Sequence, residues 1–300
     1  MQNSIDTIQL NFNESSLLLL NACLGYMLFG IALDLRKEDF LQLLKNPRAT
    51  LVGVLSQYLL FPLFTFMLIK ILHPHPSIAL GMILIAACPS GNISGFITHT
   101  AKGNTALSVS LTALSTLISP ITTPLLFAIF GSMDAGTSEL LQSIQLSFTD
   151  VLSSLFLLLL LPLLSGLAVR YYFPQWAQRS KKLIKTSSML LFLFFILGAL
   201  FKNSDIFVKY VYLVIGLVFV QDLIGFLTGY FCGRLFALSE RDCRSISIET
   251  GIHNSGLGLV LIFSYFKGLG GMALIAAWWG IWHLIAGILL ATYWSRKAVS

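Results

Sequence analysis

The sequence predicts an all-α polytopic membrane protein, and three observations lead to that class. Of the 300 residues, 56% are hydrophobic and 11% are charged, whereas a soluble domain needs roughly 25% charged residues to cover its surface. Apolar segments long enough to cross a bilayer recur along the whole chain. The basic residues gather on one side of the connections between these segments. We therefore expect one membrane domain over 1–300.

About nine segments qualify as transmembrane helices, because crossing the hydrocarbon core takes about 20 mainly apolar residues. The sixth is short, and the third and eighth are interrupted by small and polar residues. The segments lie near 15–33, 50–72, 77–100, 106–130, 148–169, 187–201, 210–231, 245–266 and 271–294. A polar stretch, 1–14, precedes them and resembles no cleavable signal peptide. An external loop is expected at 131–145.

The orientation follows from the enrichment of Lys and Arg in cytoplasmic connections. With the N-terminus outside and the C-terminus inside, all but four of the 19 basic residues face the cytoplasm. The exceptions are Lys70, Lys202, Lys209 and Lys267. We expect a multi-pass protein of the cell (inner) membrane, whose net charge of +6 requires no nucleic-acid partner. The four cysteines lack metal-binding spacing and are expected to be reduced.

Two membrane segments are broken at corresponding places. The third contains CPSGNISG (88–95) and the eighth contains ETGIHNSG (249–256), and a long apolar helix follows each. Paired interruptions of this kind indicate a transporter with inverted repeats and mark its binding site. The free N–H groups of half-helix N-termini suit an anion. The alternative is that Gly and Ser only permit close helix packing, but the presence of Glu249 favours a site.

Several motifs, spread over nearly the whole chain, are specific in combination. They are GVLSQYLLFP (53–62), ACPSGNISG, KGNTALSVSLTALSTLISP (102–120), IETGIHNSG and WHLIAGILLATYW (282–294). Together they resemble the bile acid:sodium symporter family, the solute carrier 10 type. The resemblance implies two inverted repeats, a panel and a core domain, and two discontinuous helices that cross in the core. The first repeat, 15–130, lacks its first helix, and the second covers 146–295.

The resemblance also implies two sodium ions beside the crossing, with no organic cofactor. The first site would use Ser94, Ser108, Thr112 and Glu249. The second would use Gln57, Glu249, His253 and the carbonyls of Thr250 and Ile252. Hard cations take oxygen ligands of these kinds, and Ser108 and Thr112 share a helix face because they are four residues apart. Without Glu249, such a pair is more typical of hydrogen bonds back to the helix.

Two positions depart from the family pattern. Asn is usual where this chain has Gly95, and Gln is usual where it has His253. Because histidine titrates near neutrality, we hypothesise that His253 carries a proton in place of one sodium ion, with Asp222 as a candidate relay. The alternatives are a neutral His253 that hydrogen-bonds to Gln57 or to a backbone carbonyl, and an Asp222 that only bonds between helices.

The substrate is predicted to be a small organic anion, bound by the half-helix N-termini. The candidate residues are Asn92, Asn254, Ser255 and His283, although His283 also fits a packed core position. Members of the family carry bile salts, sulphated steroids or small carboxylates such as pantoate, and the sequence does not select among them. The expected partners are this anion and the lipid bilayer. The sequence carries no signal for an oligomeric state.

Other functions compete with sodium symport. An arsenite-exporter-like protein would use a cysteine near the first break, where Cys88 lies. A purely proton-coupled transporter is a second alternative. The third is an intramembrane hydrolase that uses Ser94, His253 and Glu249, but Ser94 lacks the nucleophile-elbow pattern. We therefore predict a transporter and no enzymatic activity.

Overall fold

The computed structural model describes residues 5–7, 14–143 and 148–297. Within these ranges the chain is helical and forms no β-strand. Its helices are α1 Glu14–Asp34, α2 Lys37–Lys45, α3 Pro47–Leu72, α4 Pro76–Ala87, α5 Ser94–Thr100, α6 Thr105–Ser132, α7 Ala135–Ser143, α8 Phe148–Tyr172, α9 Pro174–Lys202, α10 Ser204–Tyr210, α11 Tyr212–Leu235, α12 Glu240–Gly251, α13 Ser255–Tyr265 and α14 Gly270–Ser295.

Several helices are long and apolar enough to cross a membrane. In the described part of the chain, α3, α6, α11 and α14 meet that standard, and α1 with α2 forms a fifth candidate bent by 66°. Shorter apolar helices are α4, α13 and the Phe156–Tyr172 part of α8. The prediction of an all-α polytopic membrane protein is therefore confirmed.

Two helix boundaries differ from the prediction. The sixth segment was expected at 187–201, but α9 begins at Pro174. Proline is favoured in the first helical turn, and the Lys and Arg residues that follow are good helix formers. The predicted loop at 131–145 contains α7. Asp134 caps this helix, because its Oδ2 accepts hydrogen bonds from the backbone N–H groups of Gly136 and Thr137 at 3.1 and 3.3 Å.

The helices pack in two groups that matter for the site. Helix α1 lies against α8 and α9, while α11 lies along α12 and α14 packs against α4. Gly225, Gly229 and Gly233 place a small residue at every fourth position of α11, which lets two helix backbones approach closely. A Cβ atom at Gly229 would lie only 2.5 Å from the carbonyl oxygen of Ile246. This close packing sets the position of α12, which ends two residues after Glu249.

Helix α3 contains a π-helical turn at Ser56–Leu60. Such turns occur frequently at functional sites, because the extra residue changes the direction of the side chains. Gln57 lies in this turn and is buried. The hydroxyl of Ser56 is 2.8 Å from that of Thr250, so the π turn contacts the end of α12.

Candidate cation and substrate site

Both predicted interruptions are present. Helix α4 ends at Ala87 and α5 begins at Ser94, while α12 ends at Gly251 and α13 begins at Ser255. The first break starts where Cys88 is extended, with φ −68° and ψ 153°, as expected before a proline. Four half-helices therefore end or begin at two short unwound segments.

The two unwound segments pair with each other. The N–H of Gly91 donates to the carbonyl of Ile252 at 2.8 Å, and the N–H of Asn254 donates to the carbonyl of Pro89 at 2.9 Å. The hydroxyl of Ser90 also donates to Ile252 at 3.1 Å. Backbone groups at membrane depth need such partners. The pairing brings the two breaks together at one place in the fold.

Glu249 lies in the last turn of α12 and is 1% exposed. The hydroxyl of Ser108 donates to its carboxylate, and Thr112 Oγ1 lies 3.0 Å from each carboxylate oxygen. Ser94 Oγ is 2.9 Å from Thr112 Oγ1. The four side chains assigned to the first sodium site are thus neighbours, which is a geometric fact; their role as ligands stays a prediction.

Sequence reasoning missed a further hydroxyl in this group. Thr98 donates a hydrogen bond to Ser108 Oγ at 3.2 Å and is fully buried. The signal that points to it is its spacing, because Thr98 lies one turn after Ser94 on α5 and shares its helix face. Thr98 therefore orients the hydroxyl that contacts Glu249.

The charge of Glu249 has no cationic partner in the described part of the chain, since none of the ion pairs found there includes it. A buried carboxylate without compensation is costly. The surrounding hydroxyls donate hydrogen bonds and retain oxygen lone pairs. Carboxylate and hydroxyl oxygens are the ligands that hard cations prefer. The arrangement is therefore able to bind a small cation.

Several of the groups predicted to bind the second sodium ion already contact other groups of the protein. His253 Nδ1 lies 2.9 Å from the carbonyl oxygen of Cys88, and Nε2 lies 2.9 Å from that of Thr250. The carbonyl of Ile252 already accepts from Ser90 and from a backbone N–H. A neutral imidazole has one N–H, so only the imidazolium donates to both carbonyls that face His253.

The other side chain predicted for the second site is that of Gln57. Gln57 Nε2 is buried and has no hydrogen-bond partner among the described residues. Of the two neutral alternatives for His253, contact with a backbone carbonyl is the one that the structure contains. The Phe61 ring lies 4.8 Å from the His253 ring between centroids, so the imidazole is enclosed on this side by an apolar group.

His283 and Asp222 occupy separate positions. His283 is buried, and its Nδ1 contacts the carbonyl of Trp279 one turn earlier, which favours the packed alternative. Asp222 is 1% exposed, and neither carboxylate oxygen has a hydrogen-bond partner among the described residues. The side chain of Trp282 on α14 interacts with Asp222 without meeting strict hydrogen-bond geometry, so the interhelical contact stays a prediction. No hydrogen bond within those ranges joins Asp222 to His253, and the relay stays a prediction.

A cavity of about 160 Å³ lies beside the crossing. Asn92, Gly95 and Thr112 line one wall, and Asp34 and Lys185 line another. The last two come from α1 and α9, and sequence reasoning did not select them because no motif connects them to the breaks. The cavity thus brings the first unwound segment opposite an ion pair.

The other predicted substrate residues do not line this cavity. Neither Asn254, Ser255 nor His283 belongs to its wall. The side chain of Asn254 instead accepts a hydrogen bond from the N–H of Leu257 at 3.0 Å and caps α13. Asn92 is therefore the member of the predicted set with direct access to this space.

Comparison with known proteins decides the family. The profile described as Sodium Bile acid symporter family matches residues 21–210. The chain belongs to this family. Membership confirms the resemblance seen in the motifs. The family consists of transporters, so the hydrolase alternative is wrong and the protein is a membrane transporter rather than an enzyme.

Individual relatives agree with the family assignment. The chain is 33% identical over 274 residues to "Uncharacterized sodium-dependent transporter YocS" of Bacillus subtilis (strain 168), which covers 91% of this chain and 82% of that protein. It is 33% identical over 278 residues to "Probable sodium/metabolite cotransporter BASS1, chloroplastic" of Arabidopsis thaliana, with 90% and 65% covered. It is 27% identical over 281 residues to "Sodium-dependent organic anion transporter" of Bos taurus, with 85% and 71% covered.

Proposed function

We propose that this family member is a secondary active symporter that moves a small organic anion across the cell (inner) membrane with a sodium gradient. The observation that carries the proposal is Glu249, a buried carboxylate that three hydroxyl-bearing side chains surround and that lacks a cationic partner in the described chain. The names of the relatives, which include sodium-dependent transporters and an organic anion transporter, support it.

The first coupling ion binds at Ser94, Ser108, Thr112 and Glu249. Glu249 supplies the negative charge, and the hydroxyls rotate to direct lone pairs at the ion. Because the site combines residues from α5, α6 and α12, binding of sodium stabilises the arrangement in which these helices are in contact. Sodium is transported cargo in this scheme, and the chain needs no organic cofactor.

The second coupling cation is either a sodium ion or a proton on His253. A sodium ion would use Gln57, Glu249, His253 and the carbonyls of Thr250 and Ile252. The imidazolium alternative is favoured by the two carbonyl oxygens that face the ring nitrogens. Either cation balances the charges of Glu249 and a monoanionic substrate together with the first sodium ion, so the loaded core crosses without net charge.

The proposed architecture has nine membrane spans, with the N-terminus outside and the C-terminus inside, and two inverted repeats at 15–130 and 146–295. The panel contains α1, α8 and α9, whose mutual packing supports this division. The core contains the paired breaks. Movement of the core against the panel exposes the site to each side in turn, as in other inverted-repeat transporters.

Uptake into proteoliposomes tests the function. The reconstituted protein is expected to accumulate a labelled organic anion when a sodium gradient is imposed, with pyruvate, pantoate and taurocholate as probes. Accumulation driven by a pH gradient in the absence of sodium would replace sodium symport with the purely proton-coupled alternative. Absence of uptake for every probe under both gradients would contradict the proposal.

A further inference from the structure

An ion cluster lies opposite the crossing, at the end of α1. The Nζ atom of Lys181 is 3.1 Å from Asp34 Oδ1, and that of Lys185 is 3.0 Å from Oδ2. Two ammonium groups therefore share one carboxylate, and the cluster carries one excess positive charge. The Lys185 side chain is 50% exposed and that of Lys181 is 17% exposed, so Lys185 is the lysine that a solute reaches.

Lys185 and Asp34 line the same cavity as Asn92 and Thr112. The remaining carboxylate on this wall is Asp39, whose Oδ2 accepts a hydrogen bond from the N–H of Arg36 at 2.9 Å. Asp39 lies in the first turn of α2, where the helix dipole offsets its negative charge. The dipole offsets only part of that charge, so Lys185 is the cationic residue of a wall that also holds two carboxylates, and Asp34 is the one that occupies it.

We propose that Lys185 is the charge partner of the transported anion, and that the anionic group of the substrate displaces Asp34 from Lys185 when it binds. The proposal deepens the proposed function and rests on it. Asp34 keeps its contact with Lys181 after the exchange, so displacement leaves its carboxylate paired. The exchange links a residue of α9 to a solute that also contacts Asn92 at the first break.

The size of the cavity restricts the substrate. Its volume of about 160 Å³ is well below the roughly 300 Å³ at which sites for drug-sized ligands begin. A compact monoanion of a few carbon atoms matches this volume better than a rigid ring system of steroid size does. We therefore assign the substrate to the small monocarboxylates.

Sodium-driven uptake of pyruvate and pantoate by four variants tests the exchange. Lys185→Ala is expected to raise the apparent KM by up to about fivefold, the size of effect that loss of a half-exposed ion pair produces, while Lys185→Arg retains uptake. Asp34→Asn is expected to lower the apparent KM, because it frees Lys185 from its competitor. Lys182→Ala, at an exposed neighbouring position outside the cavity wall, is the matched control.

The opposite signs of the two effects separate substrate binding from a structural role. If the ion pair only stabilised the contact between α1 and α9, Lys185→Ala and Asp34→Asn would impair uptake in the same direction. The sodium concentration for half-maximal uptake should remain unchanged in both variants. An equal rise of KM in both variants, or an unchanged KM in Lys185→Ala, would overturn the exchange.

The choice of probe separates this inference from the proposed function. Sodium-driven uptake of taurocholate without any uptake of the small monocarboxylates would overturn the assignment of the substrate class and leave sodium symport intact. Failure of every probe in the native protein would instead contradict the proposed function. If Asp34→Asn lowers the thermal midpoint, Lys185→Gln is the second test, because it removes the charge of Lys185 without changing α1. An unchanged apparent KM in Lys185→Gln would also overturn the exchange.

Discussion

Thr112 Oγ1 lies 3.0 Å from both carboxylate oxygens of Glu249, although 137 positions separate the two residues in the chain. One residue comes from α6 in the first half and the other from α12 in the second. The proposed cation site therefore exists only when the two halves pack together. This dependence makes both residues suitable for testing the coupling separately from the fold.

Glu249→Gln should abolish sodium-driven uptake. The substitution keeps the shape of the side chain and one acceptor oxygen but removes the charge that attracts the ion. We expect a loss of at least about 100-fold in uptake at subsaturating sodium, which corresponds to about 2.7 kcal/mol. Glu139→Gln, at an exposed position of α7, is the control. Sodium-driven uptake near the native level in the Glu249 variant would remove the carboxylate from the coupling mechanism.

Thr112→Val should weaken sodium binding without altering the shape of the cavity that Thr112 also lines. Valine has the same shape but no hydroxyl, so one ligand is lost and Glu249 loses a hydrogen bond, at a cost of about 1.5–3 kcal/mol. The half-saturating sodium concentration is expected to rise about tenfold or more, and Thr112→Ser should restore it. The control is Thr292→Val, since that hydroxyl bonds only to the preceding turn of its own helix. An unchanged sodium dependence in Thr112→Val would argue against the first site.

His253→Gln distinguishes the two candidates for the second cation. Glutamine cannot become cationic but offers an amide oxygen, so a second sodium ion should replace the imidazolium. We expect the reversal potential in proteoliposomes to shift from one to two sodium ions per anion. Native uptake should also vary with pH as the imidazole gains or loses its proton, and the variant should lose this dependence. The same stoichiometry and pH profile in both proteins would show that His253 is only a structural group.

Gly229→Ala should destabilise the protein, because its Cβ would lie 2.5 Å from a backbone oxygen of α12. Backbone atoms cannot yield as a flexible side chain does, and overpacking of this kind costs typically about 1–3 kcal/mol. We expect a lower thermal midpoint in detergent and lower uptake. Gly216→Ala is the matched control on the same helix, since a Cβ there meets nothing within 4 Å. Equal midpoints for the two variants would contradict the close packing of α11 and α12.

Asp134→Asn should reduce stability at neutral pH but not in acid. A hydrogen bond from Lys70 holds the pKa of Asp134 below its ordinary value. The stabilisation is present above the pKa of the unfolded chain and is lost as the pH falls through the lower pKa of the native state. Because the pair is partly exposed, we expect about 1 kcal/mol or less at pH 7. A difference in unfolding that persists equally at low pH would exclude the charge as its cause.

The breaks and Glu249 could be predicted from the sequence because they are local chemical anomalies. Proline, glycine and a carboxylate stand out in segments that are otherwise apolar, whatever the rest of the chain does. The start of α9 was missed for a related reason. A basic stretch such as 179–185 is typical of a loop at a membrane surface, but its residues also favour helix, and tertiary packing extends α9 to Pro174.

Residues that act through partners on distant helices were harder to predict from the sequence. Thr98 shares a helix face with Ser94, so its spacing contained a usable signal. The sequence carried no such signal for Lys185 and Asp34, since 151 positions separate them and both look like ordinary charges at a membrane surface. Their importance comes only from the cavity that they share with Asn92.

The amino-acid sequence was sufficient for the membrane class, the family, the two interruptions and the carboxylate at membrane depth, because hydrophobicity and backbone-breaking residues act over short stretches of chain. Only the tertiary structure showed that His253 spans two carbonyl oxygens and that Lys185 faces the first break across a small cavity. Such contacts depend on how separate helices approach one another, and that geometry arises from the packing of the whole chain.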